Sequence, residues 1–451
     1  EQNFTDRVER QPELLAHHLT AAGDTERAVG QWLKAGQYAA ERLAYLEAIR
    51  HFERGLGMLQ NLPEGPARDG LEIELQLARG LSLFTTKGFI VAEAALAYTR
   101  ARELTELRGD ARQRFAAVYG LWQSSVGTGM VVGAQRLSDQ LLQLAIDSAD
   151  DGLRLQAHHS AWTTCLFAGA PGAAREHIEA GRRLYDPKRH RSHRRLYGGH
   201  DPGACALYMG AQAYLLLGYP ERGSALAEEA LAFGRLIGHP FTLAAGLAFT
   251  AMFHLDRNEP GLALQRLQAA ESLAAEQRLG LVLESQLLRG AILTAQGALD
   301  EAVACLRSAL AGPPGSHRLR TFGLAGLATA LTRQGKPEAA LAALKEGGEE
   351  QEKTGQRRWE AELLRLQGIA LLRLNRPEEA QSAFENALRI ARKQQAKAYE
   401  LRAATNLAQL WGERGKRQKA LGLLTPIYGW FAEGFDTLDL KQARALLDEL
   451  A

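Results

Sequence analysis

Half of the 12 histidines in this 451-residue chain fall between positions 158 and 200: His158, His159, His177, His190, His193 and His200. Imidazole binds metals and exchanges protons near neutral pH. Asp201 and Cys205 follow closely, so His190, His193, His200, Asp201 and Cys205 together supply donor types that a zinc-like ion accepts. Their spacing matches no zinc module. Gly198-Gly199-His200-Asp201-Pro202-Gly203 reads equally well as a turn in which Asp201 caps the next helix and Pro202 occupies its first turn. The sequence therefore assigns no metal ligand and no cofactor. The same region is strongly basic. From Arg182 to Arg195 seven cationic side chains (Arg182, Arg183, Lys188, Arg189, Arg191, Arg194 and Arg195) face one acid, Asp186. Arg189, His190, Arg191, Arg194, Arg195, His200 and Asp201 form a candidate site for a phosphate-bearing ligand or an acidic partner surface. The competing reading is a solvated loop that offsets acidic helices nearby.

Other chemistry is absent from the sequence. Gly335-Lys336 and Gly415-Lys416 lack the earlier Gly and the following Ser or Thr of a phosphate-binding loop. Gly127-Thr128-Gly129-Met130-Val131-Val132-Gly133 is one residue too long for a dinucleotide loop and reads as a turn between helices. No H-E-x-x-H, C-x-x-C or G-x-S-x-G occurs, so the chain is not expected to be an enzyme. A net charge of +2 argues against a dedicated nucleic-acid binder, and the basic stretch has only Tyr185 and Tyr197 as aromatics. Cys165, Cys205 and Cys305 are too sparse for a disulfide framework, and a reducing cytoplasm is the expected compartment. No apolar run reaches the roughly 18–20 residues of a membrane span.

The elements that position these residues are helices. About a third of the chain is Ala or Leu, and Pro numbers 14. A turn residue followed five positions later by a small one recurs at Leu43, Phe89, Gly129, Gly169, Gly218, Asp256, Gly297, Gly335, Asn375 and Gly415, with Ala48, Ala94, Ala134, Ala174, Gly223, Gly261, Ala302, Ala340, Ala380 and Ala420 as the small partners. The period is about 40 residues, which signals a solenoid. Gly or Asn supplies the left-handed conformation that ends a helix. Pro220, Pro337 and Pro377 then open the next one, each followed by a Glu that suits the positive end of the helix dipole. Each unit is thus a helical hairpin that buries its apolar face only by stacking on its neighbours. The Trp residues at 32, 122, 162, 359, 411 and 430 are read as packing between units.

Gly368, Ala380, Phe384 and Ala387, and likewise Gly290, Ala302, Leu306 and Ala309, resemble the tetratricopeptide repeat (TPR) family, although these units exceed its 34 residues by about a turn. The resemblance implies an all-α solenoid of TPR-like hairpins forming a superhelix. Three segments extend it: Gln11-Pro12-Glu13-Leu14-Leu15-Ala16-His17-His18, Tyr197 to Gly203, and Tyr428-Gly429-Trp430-Phe431. They resemble bacterial multidomain signal-transduction (STAND-type) ATPases, often fused to a class III adenylate or guanylate cyclase domain. The chain begins at Glu1 without an initiator Met and is expected to be the C-terminal part of such a protein. Residues 1–62 would join the upstream ATPase module. Residues 63–451 would form the superhelix, with a basic insertion at 185–203 and a capping helix from Leu438 to Leu450.

In TPR proteins the first helix of each hairpin lines the concave face. Carried over, this places Tyr119, Gln123, His159, Thr163, Cys205, Tyr208 and Gln212 in the groove, with small or apolar residues such as Leu243, Gly246 and Ala325 on either side. Such a groove suits a small polar effector, a peptide or a protein partner, and a solvated groove with ordinary packing aromatics is the competing reading. The functions implied are a non-catalytic sensor or interaction module acting on the upstream ATPase or cyclase domains, or a structural oligomerisation arm. No membrane and no nucleic acid are expected as partners.

Overall fold

Each turn residue ends one helix and releases the next. In a computed structural model, the chain is described for residues 11–88, 90–148, 150–280, 282–312 and 317–451. These contain 23 helices and no strand. After α1 (Pro12–Ala21), ten hairpins follow in order. They are α2 (Thr25–Glu41) with α3 (Tyr45–Leu59), α4 (Pro66–Lys87) with α5 (Ala92–Arg108), α6 (Ala111–Gly127) with α7 (Val131–Ser148), and α8 (Asp151–Phe167) with α9 (Pro171–Leu184). After the short α10 (His193–Leu196) come α11 (Pro202–Leu216) with α12 (Pro220–Ile237), α13 (Pro240–Asp256) with α14 (Pro260–Gln277), and α15 (Val282–Gln296) with α16 (Leu299–Ala309). The array ends with α17 (Arg320–Arg333) and α18 (Pro337–Thr354), α19 (Glu360–Arg373) and α20 (Pro377–Lys393), α21 (Lys397–Glu413) and α22 (Arg417–Tyr428), and the terminal α23 (Leu438–Leu450).

Left-handed backbone sits at Leu43, Gly129, Gly169, Gly218, Gly297, Gly335, Asn375 and Gly415, as the repeat predicts. One anchor moves: the positive φ falls at Asn258 (63°), not Asp256. The anchor read at Phe89 lies outside the described residues, and Gly88 before it has φ 86°. Asp256 is the last residue of α13, and the small residue that packs is Ala263, fully buried, while Gly261 faces open space. The close approach predicted within hairpins is present: a Cβ on Gly290 would lie 2.5 Å from Leu306 Cγ, and one on Gly368 would overlap the Phe384 ring.

The loop from Pro63 to Pro66 does not interrupt stacking, since Leu75 of α4 shares a core with Val29, Leu33 and Phe52. At the other end Leu440, Ala443, Leu447 and Leu450 of α23 bury against the last hairpins. Among the described residues no helix is long and apolar enough to cross a membrane.

The superhelix is wound tightly enough for successive turns to touch. The last carbonyls of a helix lack partners within it. Here Thr85, Gly127 and Phe167, at the ends of α4, α6 and α8, accept from the backbone N–H groups of Gly280 (3.2 Å), Arg318 (2.9 Å) and Arg357 (3.0 Å). The donors lie just before the first helices of hairpins on the next turn. Farther along, Glu221 Oε1 accepts from Gly434 N at 2.9 Å, and Glu433 Oε1 accepts from Glu221 N at the same distance. Lys397 lies over the Trp430 ring at this seam. The result is an interior wrapped on all sides: every residue of α11 except Tyr214 is buried, as expected of a helix that is apolar all round.

Candidate functional site

The first helices of the hairpins do face inward, but the winding closes the space they line. Tyr119, Gln123, His159, Thr163, Tyr208 and Gln212 are all at most 8% exposed. Four of them, Gln123, His159, Thr163 and Tyr208, border one cavity of about 60 Å³, together with Trp122, His200, Cys205, Phe249, Glu284 and Arg318. Space of that size holds a few waters. Its walls come from α6, α8, α11, α13 and α15, and from Arg318 and Leu319 on the adjoining superhelical turn.

Tyr119 and Gln212 stand behind this wall. Tyr119 Oη meets His159 Nδ1 at 2.9 Å. Gln212 donates to the Phe249 carbonyl at 2.9 Å and accepts from Arg358. Tyr208 stacks on Phe249 with centroids 4.9 Å apart. Trp122 donates its indole N–H to Thr164 Oγ1 at 2.9 Å. Gln123 Oε1 is buried without a hydrogen-bond partner.

The insertion divides into an outer and an inner face. Outside, Arg189, Arg191 and Arg195 are exposed; Arg195 pairs with Glu41 at 2.6 Å, and Arg182 with Glu229 at 3.3 Å. Arg194 is half-buried, which lowers its pKa. Inside, His190, His193, His200 and Asp201 are buried. Asp201 caps α11 as the turn reading expects: its Oδ1 accepts from Gly203 N (2.8 Å) and Ala204 N (3.2 Å), and its Oδ2 from the Tyr185 hydroxyl (3.0 Å). Burial raises its carboxyl pKa.

A relay of side chains runs from the insertion into the cavity. Gln156 bridges His193 Nδ1 and His159 Nδ1, each at 3.0 Å. His159 Nε2 then meets His200 Nε2 at 3.2 Å, and His200 Nδ1 meets the Gly198 carbonyl at 2.8 Å. Burial holds His193 and His200 down to about 4 and His159 well below its ordinary value, so these rings are neutral at pH 7. Burial also pushes the Cys205 thiol up to about 12. Glu284 behaves oppositely. Burial would raise it, but His317 (3.2 Å) and Arg318 (3.4 Å) outweigh that and hold it at about 2.

A second, more polar cavity of about 350 Å³ lies farther along the interior. Here the sequence expectation of small or apolar groove walls needs correction. Ala325 does line it, yet so do Asp256, Arg333, Glu362, Arg365, Tyr399, Arg402 and Asp439. Arg365 Nε donates to Glu362 Oε2 at 2.9 Å, and Arg402 Nε to Asp439 Oδ2 at 2.7 Å. Arg358, whose side chain has no exposed surface, reaches Asp256 Oδ2 at 3.7 Å. Glu362 and Arg365 lie at i and i+3 on α19, a pairing legible in the sequence, whereas Arg358 sits in the turn before that helix. Read from the sequence as a turn residue, Asp256 shows no partner; in the structure it ends α13 and faces Arg358.

The comparisons agree with this architecture. The tetratricopeptide-repeat family model matches residues 318–393. An uncharacterized protein of Rhizobium meliloti (strain 1021) is 28% identical over 408 residues, 88% of this chain, and the chain spans 39% of that relative's length. Among solved structures, the chain is similar to a Rap protein complexed with competence and sporulation factor (13% identity, 94% of this chain and 100% of that one, TM-score 0.50). It is also similar to the apo form of the quorum sensor NprR from B. thuringiensis (12% identity, 79% of this chain and 97% of that one, TM-score 0.46). Periodicity, helix order and the matched repeats together identify the fold as an all-α, TPR-like superhelical solenoid.

Proposed function

We propose that this chain is the non-catalytic sensor and interaction region of a multidomain signalling ATPase, of the kind fused to a nucleotide cyclase domain. In this reading it takes a small effector, a peptide or a protein partner in its interior and relays occupancy to the upstream domains. One observation carries the proposal. The central cavity is walled by two successive turns of the superhelix, with Arg318 opposite Trp122, Gln123 and His159. A ligand that widens or draws together those walls changes the winding, and winding is the one coordinate that all units share. The Rap protein of similar fold was solved with competence and sporulation factor bound, which supports a ligand-binding role for such an array. The exposed Arg189, Arg191 and Arg195 supply a basic outer surface for an acidic partner.

Isothermal titration of the chain with metabolite and peptide panels, paired with small-angle scattering, tests this. Saturable binding that changes the radius of gyration, and that Tyr208→Ala or His159→Ala abolishes, is the expected result. Absence of binding by every compound, by peptides and by the parent's own N-terminal domains would sink the proposal. The alternative role as an end-to-end oligomerisation arm is disfavoured by α23, which buries its apolar residues over the end of the array.

A further inference from the structure

We propose that the central cavity binds a zinc ion through His159 Nε2, His200 Nε2 and Cys205 Sγ. The three donors arrive from separate elements, α8, the insertion and α11, and their ligating atoms lie within 4.8 Å of one another. All three side chains are buried. Tetrahedral zinc with bonds of about 2.0–2.3 Å holds its ligand atoms roughly 3.3–3.8 Å apart. The two imidazole nitrogens already sit at 3.2 Å, so the sulfur needs to close by about 1.5 Å at most.

Hydrogen bonding prepares the rings for this role. His200 Nδ1 lies 2.8 Å from the Gly198 carbonyl, so Nδ1 carries the proton and Nε2 presents its lone pair. His159 is anchored at Nδ1 by Tyr119 and Gln156, which aims its Nε2 at the same point. In the metal-free chain, the short contact between the two Nε2 atoms is satisfied only by one shared proton. A cation in that position takes the proton's place: His159 then carries its proton on Nδ1, where Gln156 Oε1 accepts it, and both Nε2 lone pairs are satisfied. Outer partners that fix the tautomer and orientation of ligating histidines are the usual companions of a metal site.

Two nitrogens and a sulfur favour zinc over magnesium or calcium, which take oxygen. Three protein donors leave a fourth position facing the cavity. Gln123 Oε1, buried and without a partner, lines the same space and can accept from a water or ligand held there. Binding deprotonates Cys205, and the proton is released to solvent. The ion would tie α8, the insertion and α11 together. This inference stands on the three donors and does not require the signalling role.

The test uses the full chain stripped with a chelator. Zn2+ is titrated in competition with a chromophoric chelator, and Co2+ serves as an optical probe. The expected result is one ion per chain and a thiolate-to-Co2+ charge-transfer band. Cys205→Ala should remove the band and weaken Zn2+ binding at least about a hundredfold. His200→Gln should weaken it similarly, with circular dichroism confirming that both variants fold. His158→Gln is the control, because His158 and His177 form another histidine pair, 2.9 Å apart on the other side of α8. Absence of the band, its survival in Cys205→Ala, or loss of binding in His158→Gln would each overturn the assignment. Saturation by Cu+ but not by Zn2+ would overturn the choice of metal.

Discussion

Replacing Arg358 probes how the second superhelical turn is held against the first. Its backbone N–H donates to the Phe167 carbonyl at 3.2 Å, its side chain donates to Gln212, and its guanidinium stacks near Trp359 at 5.0 Å. It also faces Asp256 at 3.7 Å. Removing one member of a buried ion pair costs about 3–5 kcal/mol. This pair is not in hydrogen-bond contact, Asp256 keeps 15% of its side chain exposed, and Arg402 remains beside it. The lower end applies, about 3 kcal/mol for Arg358→Ala and about 2 for Arg358→Met, which refills the volume without the charge.

The charge contribution has a pH signature. Burial raises Asp256 above its unfolded value, with Arg358 and Arg402 opposing. Without Arg358 the folded carboxyl rises further. A folded state that holds more protons than the unfolded one loses stability as pH rises through that window and regains it on acidification. Each variant's deficit should therefore shrink as the pH falls from neutral toward the ordinary carboxyl range. Urea unfolding followed by tryptophan fluorescence measures it, because Trp359 adjoins the site. Scattering should show an expanded particle. A deficit below about 1 kcal/mol with no pH dependence would refute the reasoning.

Gly368→Ala should cost about 1–3 kcal/mol by driving a methyl into the Phe384 ring, whereas Gly348→Ala, facing open space within α18, should stabilise by about 0.5–1 kcal/mol; denaturation midpoints of the two variants should move in opposite directions. Asp201→Ala should cost about 1–2 kcal/mol by uncapping α11 and leaving the Tyr185 hydroxyl without its acceptor, read from the same curves. Burial depresses His193, His200 and His239 to about 4, so the unfolded chain takes up protons first as pH falls from about 6.5 to 4, and stability drops across that interval, by up to about 3 kcal/mol per ring. His239→Gln should flatten that drop in thermal melts recorded against pH.

Much of the local architecture is legible in the sequence. Left-handed turn residues, prolines at first helical positions and small residues at a fixed offset are local requirements. Each acts within one hairpin, so a single sequence exposes them. At Asn258 the nearby Asp256 preserved the spacing by coincidence, and only the backbone conformation distinguished the two. The Asp201 cap could be read because cap and helix are adjacent in sequence.

The interior could not be read in the same way. Nothing in a 40-residue period states how many hairpins complete a turn, because that follows from small rotations accumulated over many units. The contacts from Gly127 to Arg318 and from Phe167 to Arg357 decide it. They narrow an expected open groove into two separate cavities. His200 and Cys205 were visible as candidate donors, His159 as a groove residue, and Asp256 and Arg358 as charges, but their meeting depends on the fold of the insertion and on the winding. The sequence by itself determined the hairpin and its repetition, because backbone sterics and helix packing are short-range. Only the tertiary structure decided which side chains share a cavity, because superhelical closure is a sum over the whole chain.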